Sequence, residues 1–203
     1  MKVLIVVDVQ YDFLPGGALA VPEGDAIIPV VNELMEKIDF VVATQDWHPL
    51  DHGSFADNHV DKRPGDVVDL NGLKQVLWPV HCVQNTHGAE LENRLDSQRI
   101  RKIFTKGTDP GIDSYSGFYD NGHRKSTGLA EYLKEHGVDE VYVAGLAADY
   151  CVKFTALDAV KENFKTWLFV DATRAVNLKA DDFDKAIREM QEKGVRMLKS
   201  ADI

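Results

Sequence analysis

The sequence predicts an α/β fold: a doubly wound, mostly parallel six-stranded sheet with helices on both faces. Two observations predict it. Short apolar, β-rich runs alternate along the chain with segments of helical periodicity, the order that builds parallel strands joined by helical crossovers. The first of these runs is also apolar at consecutive positions rather than at every second one, as in a strand covered on both faces.

Residues 2–7 (KVLIVV) form the first such run. Residues 26–38 place Ile27, Val30, Val31, Leu34 and Ile38 on one side of a helix. Residues 40–44 (FVVAT) are the second strand. From about 45 to 85 the chain is rich in Pro, Gly, His and Asp and shows little periodicity. A stretch that long without regular structure inside a compact domain usually carries function, and it is read as an insertion in a single domain spanning 1–203. Residues 101–105 (RKIFT) are the third strand, and 126–136 a helix stopped by Gly137. Residues 140–145 (EVYVAG) are the fourth strand, 149–163 a helix, 166–170 (TWLFV) the fifth strand, 180–193 a helix and 195–198 a short sixth strand.

The 203 residues suffice to bury a sizeable core, folding away roughly 70% of the unfolded surface. Hydrophobic residues at 44% and charged residues at 28% match a globular chain, which excludes disordered and fibrous classes. The net charge of -10 argues against nucleic acid and against anionic membrane as partners. The first hundred residues hold 16 of the 33 acidic groups but only 7 of the 23 basic ones, so the excess is concentrated there. No apolar run reaches the roughly 18 residues a membrane span needs. The N-terminal run meets an Asp at once and reads as a strand, not a signal peptide. Cys82 and Cys151 make neither a disulfide framework nor a CxxC pair, and a reducing cytoplasm is the expected location. Nothing here sets the oligomeric state, and a homo-oligomer stays open.

Open parallel sheets bind ligands at the carboxyl ends of their strands. Asp8 follows the first run, Asp46 the second, Lys106 the third and, past the turn GLAAD, Cys151 the fourth. An acid, a base and a thiol at one sheet edge make a catalytic constellation. Asp149 is a suitable N-cap, which puts Cys151 in the first turn of a helix. The helix dipole and Lys106 would there lower the thiol pKa, with Asp8 as acceptor of its proton. Cys82 reads as packing.

A second cluster is Asp46 and His48, two residues apart and pointing the same way in an extended segment. His81, in WPVHC, is a candidate third ligand from the far end of the loop. One Asp and two His leave positions open for water or substrate on a divalent metal. His52 is near enough to be an outer-shell or fourth ligand, while His123 and His136 read as surface. The rings of Phe13 and Trp78 adjoin these positions and suit a flat ring substrate as well as they suit a core.

Five segments occur in order across most of the chain: VVDVQYDFLPGGALAV, VVATQDWHP, WPVHCVQNTHGAEL, FTKGTDPGIDSYSGF and VAGLAADYCVKFTALDA. Together they closely resemble the nicotinamidases of the isochorismatase-like cysteine hydrolases. The resemblance implies an amidohydrolase that converts nicotinamide and water to nicotinate and ammonia through a cysteine thioester. It implies a triad at Asp8, Lys106 and Cys151, with an oxyanion hole from the N–H groups of Ala147 and Cys151. It implies one divalent metal, zinc or another transition ion, on Asp46, His48 and His81, and a cis bond at Leu146–Ala147. Phe13 and Trp78 would flank the substrate ring. The chain departs from some relatives at Ser54, where they carry a further His or Glu ligand. Other readings are a carbamoyl or ureido amide hydrolase on the same scaffold, a phosphotransferase using Asp8, and a non-catalytic metal-binding module. The phosphotransferase expects an acid two residues after Asp8, where this chain has Gln10.

Overall fold

In the computed structural model, which describes residues 1–203, the elements follow the predicted alternation. They are β1 (Lys2–Val7), α1 (Ile28–Lys37), β2 (Val41–Asp46), β3 (Val67–Leu70), β4 (Leu73–Val76), β5 (Ile100–Lys106), α2 (Leu129–Glu135), β6 (Glu140–Leu146), α3 (Cys151–Lys161), β7 (Lys165–Arg174), α4 (Asp182–Glu192) and β8 (Arg196–Leu198). Six strands form one sheet in the order β5-β2-β1-β6-β7-β8, and every neighbouring pair is parallel.

The continuous apolar run of β1 has a direct cause. Leu4 and Val6 face one core cluster with Ile28, Val31, Leu34 and Met35 of α1. Val3, Ile5 and Val7 face the other, with residues of α2, α3 and α4. Both faces of the strand are covered from Val3 to Val7, and only Lys2 at its exposed start is polar.

Handedness explains the division of helices. From β1 the chain moves outward through β2 to β5, then returns across the sheet to β6 and moves the other way to β7 and β8. Right-handed crossovers that travel in opposite directions place their helices on opposite faces. The reversal lies between β1 and β6, so the crevice at their carboxyl ends is where a ligand is expected.

The structure corrects several boundaries. The segment 45–85 is not wholly irregular, because it contains the antiparallel hairpin β3–β4. Asn71 (φ 52°) and Gly72 (φ 86°) make the turn with two left-handed residues, and the Asn-Gly pair is a hairpin signal present in the sequence. The helix predicted over 126–136 starts at Leu129. The Ser126 and Thr127 hydroxyls accept the Gly128 and Leu129 N–H groups, which holds the entry out of the helix. The first turn of the 26–38 segment is a 3-10 turn, Gly24–Ile27, before α1. β7 runs on to Arg174, beyond the predicted 166–170.

Candidate active site

Asp8 leaves the end of β1 with φ 48° and is fully buried. One carboxylate oxygen accepts the Thr44 hydroxyl at 2.6 Å. Lys106 ends β5, opposite Asp46 at the end of β2 in the parallel register, so adjacent strand ends deliver a base and an acid to one point. The Lys106 ammonium contacts the other Asp8 oxygen, Oδ2, at 2.9 Å, pairs with Asp46 Oδ1, donates to the Ser114 carbonyl at 3.0 Å and to Cys151 Sγ at 3.4 Å. Asp8 Oδ2 has no partner at hydrogen-bond angles, although the ion-pair distance to Lys106 is short. One donor atom each from Asp8, Asp46 and Cys151 lies within 4.8 Å of the others. The oxygen left over beside Lys106 is thus available to a proton from the thiol.

Burial decides the charge states as much as the partners do. It pushes Asp8 up from the ordinary carboxylate value, and Lys106 only partly opposes it. For Asp46 burial again acts upward, but Lys106 and His48 overcome it and hold the carboxyl well below the usual range. Lys106 is raised well above its ordinary value: burial acts downward, and the two carboxylates outweigh it. The expected depression of the Cys151 thiol is not found. Burial, with Asp8 and Asp46 nearby, raises it well above the usual value against the pull of Lys106. A helix N-terminus and one cation do not ionise a thiol that shares a dry site with two carboxylates.

Asp149 does not cap α3. Its carboxylate accepts the N–H groups of Val176 at 3.0 Å and Asn177 at 2.9 Å, tying down the segment after β7. Tyr150 stands in the cap position without a side-chain bond, and Cys151 is the first residue of the helix. The Leu146–Ala147 peptide is cis. Neither the Ala147 N–H nor the Cys151 N–H is taken by another backbone group. Gly145 permits the close packing behind this turn, because a Cβ there would lie 2.1 Å from the Val7 carbonyl oxygen.

Asp46, His48 and His81 are all buried, and one donor atom of each lies within 4.8 Å of the other two. His48 Nδ1 pairs with the Gly107 carbonyl at 2.8 Å, and His81 Nδ1 with the Pro79 carbonyl at 2.8 Å. Burial pulls His48 down, but Asp46 outweighs it and raises the ring above its ordinary value, so a metal would displace a proton there. A carbonyl only accepts, so both rings carry hydrogen on Nδ1 and leave Nε2 as the atom for a metal. That is the tautomer a metal ligand needs, oriented from behind. Burial with its neighbours holds His81 down at about 4, hence neutral. The donor set fits a divalent metal.

A narrow crevice lies over these groups. Phe13 and Trp78 both line it, as do Tyr115, Tyr150 and Ala147. Trp78 meets Tyr150 edge-on at 4.8 Å between ring centres, and its Nε1 donates to the Tyr115 hydroxyl at 3.2 Å. All nine residues predicted for the site are therefore in one crevice or its floor. Ser54 is not directed at the metal set; it lies against His52. Cys82 is buried packing whose N–H donates to Asp12 at 2.7 Å. His123 and His136 are exposed.

Sequence reasoning missed Gln10, Asp113, Tyr115 and Tyr150. Gln10 brackets the Asp46 backbone: its amide donates to the Asp46 carbonyl and accepts the Asp46 N–H, each at 2.8 Å. A polar residue three places past a buried strand was a signal for it. Asp113 and Tyr115 follow β5 in a loop with no periodicity, which left no local signal.

The isochorismatase domain family matches residues 2–202 of the chain. The nicotinamidase of Escherichia coli is 46% identical over 205 residues, covering 99% of this chain and 96% of that protein. Among solved structures, a nicotinamidase/pyrazinamidase of Acinetobacter baumanii superposes with a TM-score of 0.96 at 48% identity, over 99% of this chain and 97% of that one. A pyrazinamidase of Pyrococcus horikoshii in complex with zinc superposes with a TM-score of 0.79 at 42% identity, over 98% of each chain.

Proposed function

The chain belongs to the isochorismatase family, and on that premise we propose that it is an amidohydrolase converting nicotinamide and water to nicotinate and ammonia. The observation that carries the reading is Lys106, buried between Asp8, Asp46 and Cys151, beneath the floor of an aromatic crevice. A core thiol kept only for packing would not be surrounded by three ionisable groups.

Cys151 is the nucleophile and Asp8 its base. The thiol stays protonated until the substrate carbonyl is in place. Asp8 Oδ2 then takes the proton as sulfur attacks the amide carbon, and Lys106 stabilises the forming thiolate. Charge on the amide oxygen is met by the Ala147 and Cys151 N–H groups, and losing one such donor typically costs about 10²–10³ in rate. Asp8 returns its proton to the amide nitrogen, and ammonia leaves with its bond to carbon broken. A water gives its proton to Asp8 and attacks the thioester; the carbon–sulfur bond breaks, and Asp8 returns the proton to the departing sulfur, which frees the nicotinate product and the Cys151 thiol. Lys106 holds its proton throughout, because two carboxylates stabilise the cation.

Asp46, His48 and His81 would hold one divalent metal, zinc being supported by the zinc-bound pyrazinamidase of similar structure. When bound, such an ion supplies a Lewis-acid anchor that orients the ring nitrogen of the substrate. Phe13 and Trp78 would bracket that ring. The reading treats residues 1–203 as one hydrolase domain with 45–85 as its metal-binding insertion. Two free thiols suit a reducing compartment such as the cytoplasm. The test is ammonia release from a panel of nicotinamide, pyrazinamide and ureido amides by the zinc-loaded protein. Nicotinamide should be turned over, and Cys151→Ala should fall to background with its fold intact. Turnover retained by that variant removes the nucleophile, and turnover of ureido amides alone removes the substrate.

A further inference from the structure

Thr44 puts a hydroxyl in the middle of a buried strand, where an apolar side chain would pack at no polar cost. The residue is fully buried in β2, and a buried hydroxyl is costly unless it is paired. The parallel register sets Thr44 beside Val7, the residue before Asp8, and the Asp8 N–H donates to the Thr44 carbonyl at 3.3 Å. The Thr44 hydroxyl donates to Asp8 Oδ1 at 2.6 Å.

A threonine side chain has staggered alternatives, so something must choose this one. Gly117 makes the choice. A Cβ on Gly117 would lie 2.6 Å from the Thr44 methyl carbon, so that methyl fills the space a larger residue would take. Gly117 is in turn held by α3, because its N–H donates to the Thr155 hydroxyl at 2.9 Å. Thr155 is fully buried, about one turn past Cys151 on the same helix. A line of contacts therefore runs from the helix of the nucleophile, through Gly117 and the Thr44 methyl, to the carboxylate that serves as base.

We infer that Thr44 is a positioning residue for the hydrolysis: seated by Gly117, its hydroxyl holds Asp8 Oδ1 and so leaves Oδ2 as the atom that takes the thiol proton. The inference rests on the reading of Cys151 as nucleophile and Asp8 as base. In that step the Cys151 S–H bond breaks, sulfur bonds to the amide carbon, and the proton goes to Asp8 Oδ2. A carboxylate free to turn would present either oxygen at a variable distance, and a misplacement of about 1 Å can cost about 10²-fold in rate. Thr44 is not among the residues that line the crevice, so substrate binding should be spared.

The test is steady-state ammonia release from nicotinamide by the zinc-loaded full-length protein, with folding checked by circular dichroism. Thr44→Val keeps the shape and removes the hydroxyl; kcat should fall about 10–100-fold, with KM within about threefold of the parent. Thr44→Ser keeps the hydroxyl and should stay within about threefold of the parent kcat. A packing role would not give that rescue, because Val fills the strand better than Ser. Gly117→Ala should push the Thr44 methyl aside and also lower kcat about 10–100-fold. Adding Thr44→Ser removes that methyl, keeps the hydroxyl and should raise kcat at least about fivefold over Gly117→Ala alone. A kcat for Thr44→Val within about threefold of the parent, or Thr44→Ser as slow as Thr44→Val, overturns the inference alone. Should Thr44→Val fail to fold, the Gly117 pair decides, and a double variant no faster than Gly117→Ala overturns the inference. A folded, zinc-loaded parent that releases no ammonia, or a Cys151→Ala variant that still does, overturns the reading beneath it.

Discussion

Replacing Lys106 with Met tests whether the strand-end charges work as one unit. The Lys106 side chain is fully buried and contacts Asp8 at 2.9 Å and Asp46. Met fills a similar volume but leaves two carboxylates in a dry site without their cation. Removing one partner of a buried ion pair typically costs about 3–5 kcal/mol. For a chain of this size about 2–4 °C of Tm accompanies each kcal/mol, so Tm should fall by about 6–20 °C near neutral pH. The pH dependence has a definite sign. In the parent, Asp46 is held below its unfolded value, so its contribution is present above the unfolded pKa and is lost as pH falls through the folded one. Without Lys106, burial acts on Asp8 against the Thr44 hydroxyl and on Asp46 against His48 and His81, so both carboxyls rise from their values in the parent. The folded variant then holds more protons than the folded parent, and it recovers stability relative to the parent as pH falls through those raised values. The gap between parent and variant should therefore narrow from about pH 7 to about pH 4. Thermal unfolding followed by circular dichroism, with metal removed by chelator, measures it. The combined change Asp8→Asn, Asp46→Asn and Lys106→Met removes all three charges and should regain at least half the loss. A Tm drop under about 2 °C near neutral pH, or a gap that widens on acidification, refutes the argument.

Because burial raises the Cys151 thiol, alkylation by iodoacetamide without substrate should be slow near neutral pH and climb above about pH 9. A rate already level by about pH 7 would show a preformed thiolate. Gln10→Ala strands the N–H and C=O of Asp46, and each buried group left unpaired costs about 1–3 kcal/mol. Urea unfolding should show a loss of about 2–6 kcal/mol, and a loss below 1 kcal/mol would mean water or another group replaces the amide. Gly107 has φ 64°, and a Cβ there would lie 2.3 Å from the His48 ring. Gly107→Ala should displace that ring and weaken zinc binding about 10–100-fold; parent-like affinity contradicts the placement of His48.

The order of strands and helices was legible because the central strands β1, β2 and β6 are apolar and bounded, while the edge strand β5 is mostly exposed and carries Arg101 and Lys102. The hairpin β3–β4 was not, because its strands are short, with one of eight residues buried, and only the Asn71–Gly72 turn marks them. Helix starts were misplaced at Ser126, Thr127 and Asp149, where side chains choose between capping and other partners. Asp149 binds the segment after β7, about 27 residues away, and no local pattern can register that choice. The site residues were legible as types at strand ends. Gln10 and Asp113 were not, since an amide and a carboxylate near many others stand out only by what they touch.

By itself the sequence determined the parallel sheet, its carboxyl edge and the residue types delivered there, because apolar runs buried on both faces admit one architecture. Only the tertiary structure decided their state. The thiol that the sequence expected to be acidic is held protonated, and Lys106 is fixed as a cation by groups from β1 and β2. His48 and His81 each turn Nδ1 to a backbone carbonyl, which leaves Nε2 for a metal. Charge and tautomer depend on distance and on exclusion of water, and both are set between residues as far apart in sequence as Asp8 and Cys151.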